Sequence, residues 1–235
     1  MAQTCKESYD KQSTDRENYL IRARECARLT IPALMPESSH GKSTTLYTPY
    51  QGVGARGVNN LAAKLMLSLF PPNTPFFRYS VDDYALEELA QDPKARAKVE
   101  EALNARERAV QSEIETSGFR PKLNEAFKQL IVCGNALLTF PKKGGMRVFR
   151  MDKYVVKRDP SGNFTEIIIK EEVNKDALPE DIAKLLPALS PSQTLPSDNN
   201  GRDENIIEIY TKYWRKGEAI YSNQQINGIV IPGSD

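Results

Sequence analysis

Histidine is nearly absent: one residue, His40, in a chain of 235. The three cysteines, Cys5, Cys26 and Cys133, are widely separated and form no CxxC pair. Zinc sites draw several His or Cys ligands from short, regular spacings, and none is available. A Ser–His triad would rest wholly on His40. An odd, scattered cysteine set fits a reducing compartment and not a disulfide framework. Long apolar runs are missing too. Residues 61–70 and 130–140 fall well short of the roughly 20 residues that cross a bilayer, and Lys64 interrupts the first. The start, Met1-Ala2-Gln3-Thr4, has no apolar stretch of a secretory signal. Neither sign of charge is in excess: 32 Lys+Arg stand against 31 Asp+Glu, for a net charge of +1. Phosphate neutralisation needs surplus cations, so the balance argues against a generally basic nucleic-acid binder, although it leaves room for a local basic patch. A chain made in the cytosol is expected.

What is present is ordinary for a globular protein, with 40% hydrophobic and 27% charged residues. The length suits one large domain or two small ones. Residues 15–30 place Tyr19, Ala23, Cys26 and Ala27 at three-to-four spacing and predict a helix that Pro32 stops. A second helix follows the glycines of 52–57 and runs to Phe70. Its apolar residues wrap most of its circumference, which predicts deep burial, and Pro71-Pro72 ends it. Residues 76–81 alternate like a strand. Asp92-Pro93 opens a long helix, Asp as cap and Pro at the first position, which Gly118 closes. Pro121 opens another helix, ending near Gly134-Asn135.

From Ala136 the period changes from helix to strand. Residues 136–140, 146–151, 154–157, 164–171, 206–214, 219–223 and 229–231 read as strands separated by turn sequences. A short helix is expected around 180–186, and 187–204 read as a loop. The predicted class is therefore α+β, a helical N-terminal half followed by antiparallel β-hairpins. The expected division is a mainly helical part, 1–135, and a β-rich part, 136–235. The chain stops just after a short strand, which suggests a natural continuation.

Gly52-Val53-Gly54-Ala55-Arg56-Gly57 is a literal G-x-G-x-x-G that opens a helix. In a dinucleotide-binding fold such glycines make the turn, admit pyrophosphate and let the helix pack on its strand. A nucleotide-binding enzyme using this loop is therefore the alternative reading, with Asp82-Asp83 where a ribose-binding acid is sought. The context opposes it, because Pro49 sits where a buried central strand would need a donor. The plainer reading is a structural turn at Gly52, Gly54 and Gly57, packed against neighbouring backbone. His40 and Gly41-Lys42-Ser43 lie in a connector, and the latter lacks the upstream glycine of a phosphate loop. Cys26 and Cys133 read as core residues. Asp82-Asp83, Glu87-Glu88 and Glu100-Glu101 read as solvated surface. Lys142, Lys143, Arg147 and Arg150 form a locally basic hairpin and are candidate weak phosphate contacts. A small nucleic-acid binder built on residues 142–158 is a third reading.

The run from Tyr50 to Pro71, Tyr-Gln-Gly-Val-Gly-Ala-Arg-Gly-Val-Asn-Asn-Leu-Ala-Ala-Lys-Leu-Met-Leu-Ser-Leu-Phe-Pro, closely resembles the N-terminal part of the portal proteins of T7-like podoviruses, the head-to-tail connectors. Arg22 to Ala27 with Thr30-Ile31-Pro32, Glu125 to Leu138, Tyr154 to Asp159 and Leu178 to Ile182 follow in the same order, so the resemblance covers essentially the whole chain. It implies a structural role without catalysis or cofactor. It implies a dodecameric ring at one capsid vertex, through which double-stranded DNA is packaged and ejected without sequence specificity. The implied partners are terminase, the tail adaptor, scaffolding protein, internal core proteins and the major capsid protein, with no membrane. The implied location is the portal vertex of a virion, assembled in host cytoplasm. The region seen would be the α+β wing, ending before stem, clip and crown. No DNA-lining or terminase-binding residue is carried over.

Overall fold

A computed structural model describes residues 4–37, 45–72, 74–81, 93–141, 145–178, 182 and 206–231. Among these, five α-helices come first: α1 (Cys5–Asp15), α2 (Glu17–Leu29), α3 (Val53–Leu69), α4 (Pro93–Thr116) and α5 (Phe119–Cys133). Seven strands follow: β1 (Leu137–Thr139), β2 (Arg147–Phe149), β3 (Tyr154–Arg158), β4 (Phe164–Asn174), β5 (Ile206–Lys216), β6 (Ala219–Ile226) and β7 (Ile229–Val230). β1 and β2 form a separate antiparallel pair, and β3 to β7 form one antiparallel meander in chain order. The mixed α+β class read from the sequence is the class observed.

The helix expected over 15–30 is α2, and a further helix, α1, lies directly before it. Arg16 breaks them at φ −108, ψ 11. α1 was not expected at all, because only Cys5 and Tyr9 of its 11 residues are buried and it shows little apolar period. Its signal is a capping box instead. The Thr4 side chain accepts from the Glu7 N–H at 3.2 Å, and the Glu7 carboxylate accepts from the Thr4 N–H at 3.0 Å. The residues of 76–81 form no strand among the described residues. Their rings pack edge to face instead, Phe76 on Phe70 and on Phe77, and Phe77 on Tyr79. The helix expected at 180–186, the loop at 187–204 and the Asp92 cap lie outside the described residues, except Ile182.

The helices share two small cores. Leu20, Ala23 and Ala27 of α2 meet Val58 of α3, Val132 of α5, Met35 and Met151. Further along, Ala62 of α3 meets Leu123 and Phe127 of α5 with Met146. The sheet is covered by α1 on one face, where Cys5 and Tyr9 pack on Val155, Ile168 and Tyr210. Residues one position on, Tyr154 and Ile169, face the other way and pack with Phe149, as the two-residue period of a strand requires. Asn227 and Gly228, both at positive φ, make the tight turn between β6 and β7.

The α1 face of the sheet also carries paired charges. Lys212 Nζ stands 2.9 Å from Glu166, Lys170 Nζ 2.6 Å from Glu208 and Lys153 Nζ 2.8 Å from Glu172. Ser8 and Gln12 of α1 donate to Glu166 as well. Burial pushes these three carboxyls upward, but the hydrogen bonds and lysine charges outweigh it and hold all three below the ordinary carboxylate range. A depressed folded pKa contributes stability that is present above the unfolded value and lost as pH falls through the folded one. The urea midpoint is therefore expected to hold steady down to about pH 4.5 and to drop below it. Lys212→Met is expected to flatten that acid-side drop, measured by urea titration at several pH values.

Candidate assembly surface

α3 carries the glycine motif. Gly52 precedes the helix at φ −84, ψ 8, while Gly54 and Gly57 lie inside its first two turns. None of the three has a positive φ. Their surroundings differ sharply. A Cβ on Gly54 would stand 2.7 Å from the Leu29 carbonyl oxygen and 3.1 Å from Thr30 Cγ2, whereas nothing lies within 4 Å of one on Gly52 or Gly57. Gly54 is where α3 crosses the C-terminus of α2 at backbone distance.

The expected deep burial of α3 is not what the structure has. Among its residues Val58 and Ala62 are buried, but Leu61, Leu67 and Leu69 remain 47%, 60% and 52% exposed. One side faces the α2 and α5 cores, and the other faces outward. The outward side is an open depression of 560 Å³ lined by Val53, Arg56, Gly57, Asn60, Leu61 and Lys64. It is also free of acid: residues 38–81 contain no Asp or Glu. Arg56 and Lys64 form no ion pair among the described residues. The face mixes apolar Val53 and Leu61 with Arg56, Asn60 and Lys64 and offers no reactive group.

The context a dinucleotide site needs is not found among the described residues. No strand feeds Gly52, the sheets are antiparallel, and α3 packs on α5. Asp82-Asp83, His40 and Gly41-Lys42-Ser43 lie outside the described residues. So do Lys142 and Lys143 of the basic hairpin. Its other two cations already have carboxylate partners. Arg147 pairs with Glu171 and stacks over the Phe149 ring at 4.9 Å, and Arg150 Nη2 donates to Asp152 Oδ2 at 3.1 Å. Glu100 pairs with Arg96 at 2.9 Å. No group of three or more His, Cys, Asp or Glu that could hold a metal occurs among the described residues. Among the described helices none is long and apolar enough to cross a membrane.

The cysteines separate by environment, and Cys26 is exposed, not a core residue as its helix pattern implied. Burial pushes the Cys133 thiol up to about 11 and raises Cys5 as well, so both stay protonated and unreactive near neutrality. A thiol titration with a maleimide is expected to label Cys26 at once and the other two only after denaturation.

A family model described as bacteriophage head to tail connecting protein matches residues 2–194. The chain belongs to that family. It is 38% identical over 237 residues to the portal protein of Enterobacteria phage T3 and 38% identical over 238 residues to that of Escherichia phage T7. Each alignment covers 98% of this chain and 43% of the relative. The portal protein of Enterobacteria phage SP6 is 34% identical over 231 residues, covering 95% of this chain and 42% of that protein. The chain thus spans less than half the length of these relatives. The glycine motif lies well inside the matched residues.

Proposed function

We propose that the chain supplies the wing of a portal subunit, with residues 1–135 as its helical part and 136–235 as its β-rich part. Twelve copies form a ring at one capsid vertex. The ring is the conduit through which duplex DNA is packaged and ejected. It is also the hub on which terminase, the tail adaptor, internal core proteins, scaffolding protein and the major capsid protein dock. The observation that carries this reading is 38% identity to two portal proteins across 98% of the chain. The surface is consistent with it. Ring contacts are heterologous, joining two different faces of one subunit, and the outward side of α3 exposes Val53 and Leu61 beside Arg56 and Lys64. The near-neutral charge suits a conduit, because a strongly basic wall would bind phosphates tightly and retard sliding.

A phage carrying an amber mutation in the gene for this chain tests the proposal. Non-suppressing hosts are expected to yield capsid shells without DNA and without tails, restored by the wild-type gene in trans. DNA-filled, tailed particles from such hosts would refute it.

A further inference from the structure

We propose that the common end of the β3–β4 and β5–β6 hairpins is a binding site for single-stranded nucleic acid. Bases stack on the ring pair of Trp214 and Tyr221, and phosphates meet the cations around it. This part of the sheet has no task in the portal reading, and the proposal does not depend on ring closure.

Strand register builds the platform. Lys157 opposes Glu166, Glu166 opposes Trp214, and Trp214 opposes Tyr221. Residues directly opposite in an antiparallel sheet share a face, so these four form one row across four strands. Lys216, two residues beyond Trp214, stands on the same face. Arg158 opposes Phe164 beside one turn and Lys216 opposes Ala219 beside the other, so both turns project from the same end of the sheet. Ser8 and Gln12 of α1 reach the row at Glu166.

The two rings are nearly parallel, 17° apart in plane and 5.8 Å between centroids. Tyr221 belongs to β6, and β7 pairs only with Gln225 and Ile226 of that strand. From Ala219 to Asn223, β6 is therefore the sheet edge among the described residues, and Tyr221 is 47% exposed there. A stack that ends on an open ring can be continued by another flat ring. Any base offers one, so stacking of this kind is tolerant of sequence.

Charge selects a polyanion. Lys157, Arg158, Arg215 and Lys216 are all exposed, and none forms an ion pair among the described residues. The nearby acids are mostly committed. Glu166 is held by Lys212 at 2.9 Å. Both Asp159 oxygens accept from Asn163, at 2.8 and 3.2 Å. Glu218 is the one uncommitted acid of the two turns. Arg158 and Arg215 each donate to a carbonyl of their own turn, Gly162 and Gly217, both at 2.8 Å. These bonds hold the guanidinium groups at the hairpin ends and leave their other N–H groups for phosphate. Unpaired cations beside an open aromatic stack are the two elements that single-strand binding needs. A duplex keeps its base faces covered, and an acidic peptide would use the cations without the rings.

Trp214 is the single tryptophan of the chain, so its fluorescence reports on this site directly. Titration of the full chain with a single-stranded oligonucleotide of mixed sequence is expected to quench it. The affinity is expected to fall at least tenfold between about 50 and 200 mM salt, as about three phosphate contacts require. Tyr221→Leu is expected to weaken binding at least tenfold. The double change Lys157→Gln and Lys216→Gln leaves both rings in place. It is expected to weaken binding similarly and to flatten the salt dependence, with an unchanged circular-dichroism spectrum. Absence of quenching would overturn the proposal, and so would wild-type affinity in both variants. Duplex of the same length, or polyglutamate, binding as tightly as the single strand would overturn it equally, since neither presents free bases. None of these results would touch the portal reading, which ring formation tests separately.

Discussion

A Gly54→Val chain is expected to lose about 2–3 kcal/mol of stability, the usual cost of forcing a side chain into a packed contact. The reason is a single distance. The new Cβ would stand 2.7 Å from the Leu29 carbonyl oxygen, which is backbone and cannot rotate away. α3 must then lift off the C-terminus of α2, and the Ala23, Ala27 and Val58 core opens with it. Three residues on, the same kind of change has the opposite sign. Gly57→Ala meets nothing within 4 Å and is expected to stabilise the helix by about 1 kcal/mol. Urea denaturation of the two variants side by side checks this. A stable Gly54→Val chain would mean that α2 and α3 do not cross as described. The contrast also bears on function, since a phosphate-binding loop would require Gly54 for its ligand and not for its own fold.

The second large effect is expected at Tyr9. Its ring is 5% exposed and packs edge to face on Tyr210 at 5.6 Å, and its hydroxyl donates to the Asp152 carbonyl oxygen at 2.5 Å. Burial pushes the phenol up to about 12, so it stays a donor throughout the physiological range. Tyr9→Ala removes the anchor of α1 on the sheet and is expected to cost about 3–5 kcal/mol. Tyr9→Phe keeps the ring, loses one hydrogen bond and is expected to cost about 1 kcal/mol. Limited proteolysis should then cut within residues 5–15 of the alanine variant and spare the phenylalanine variant. Equal stability of both variants with wild type would show that α1 does not depend on this contact.

The strands were legible because their residues obey a purely local rule. β4 and β5 carry runs of β-branched and aromatic residues buried from both faces, Ile168-Ile169 in one and Ile209-Tyr210-Thr211 in the other, and the turns at Lys216-Gly217 and Asn227-Gly228 punctuate them. α5 was legible from its apolar period and its closing Gly134, which adopts φ 75. α1 was hidden because two buried residues in 11 make no visible stripe, although Thr4 and Glu7 were there to be read as a cap. The strand expected at 76–81 failed because alternation marks residues that fit a sheet edge, and among the described residues no strand pairs with them. Phe76, Phe77 and Tyr79 find their partners in rings instead.

The candidate surface was only half legible. The glycine motif was visible, and its context in sequence already opposed a nucleotide, but sequence could not separate Gly54, which meets backbone, from Gly57, which meets nothing. The deep burial expected of α3 holds only on the side of Val58 and Ala62, because Arg56, Asn60 and Lys64 mark its other side as polar. Cys26 misled in the same way: its place in the helix period suggested core, whereas the structure puts it outside. The basic hairpin was legible as charge but not as paired charge, since Glu171 lies 24 positions from Arg147 and reaches it only through the fold.

The central proposal is that this chain is part of a subunit that closes into a ring around DNA. Electron microscopy of the purified, assembled protein tests it most directly. The account predicts end-on views with uniform twelvefold symmetry and a central hole wide enough for duplex DNA. Uniform small monomers, or open chains without closure, would contradict it.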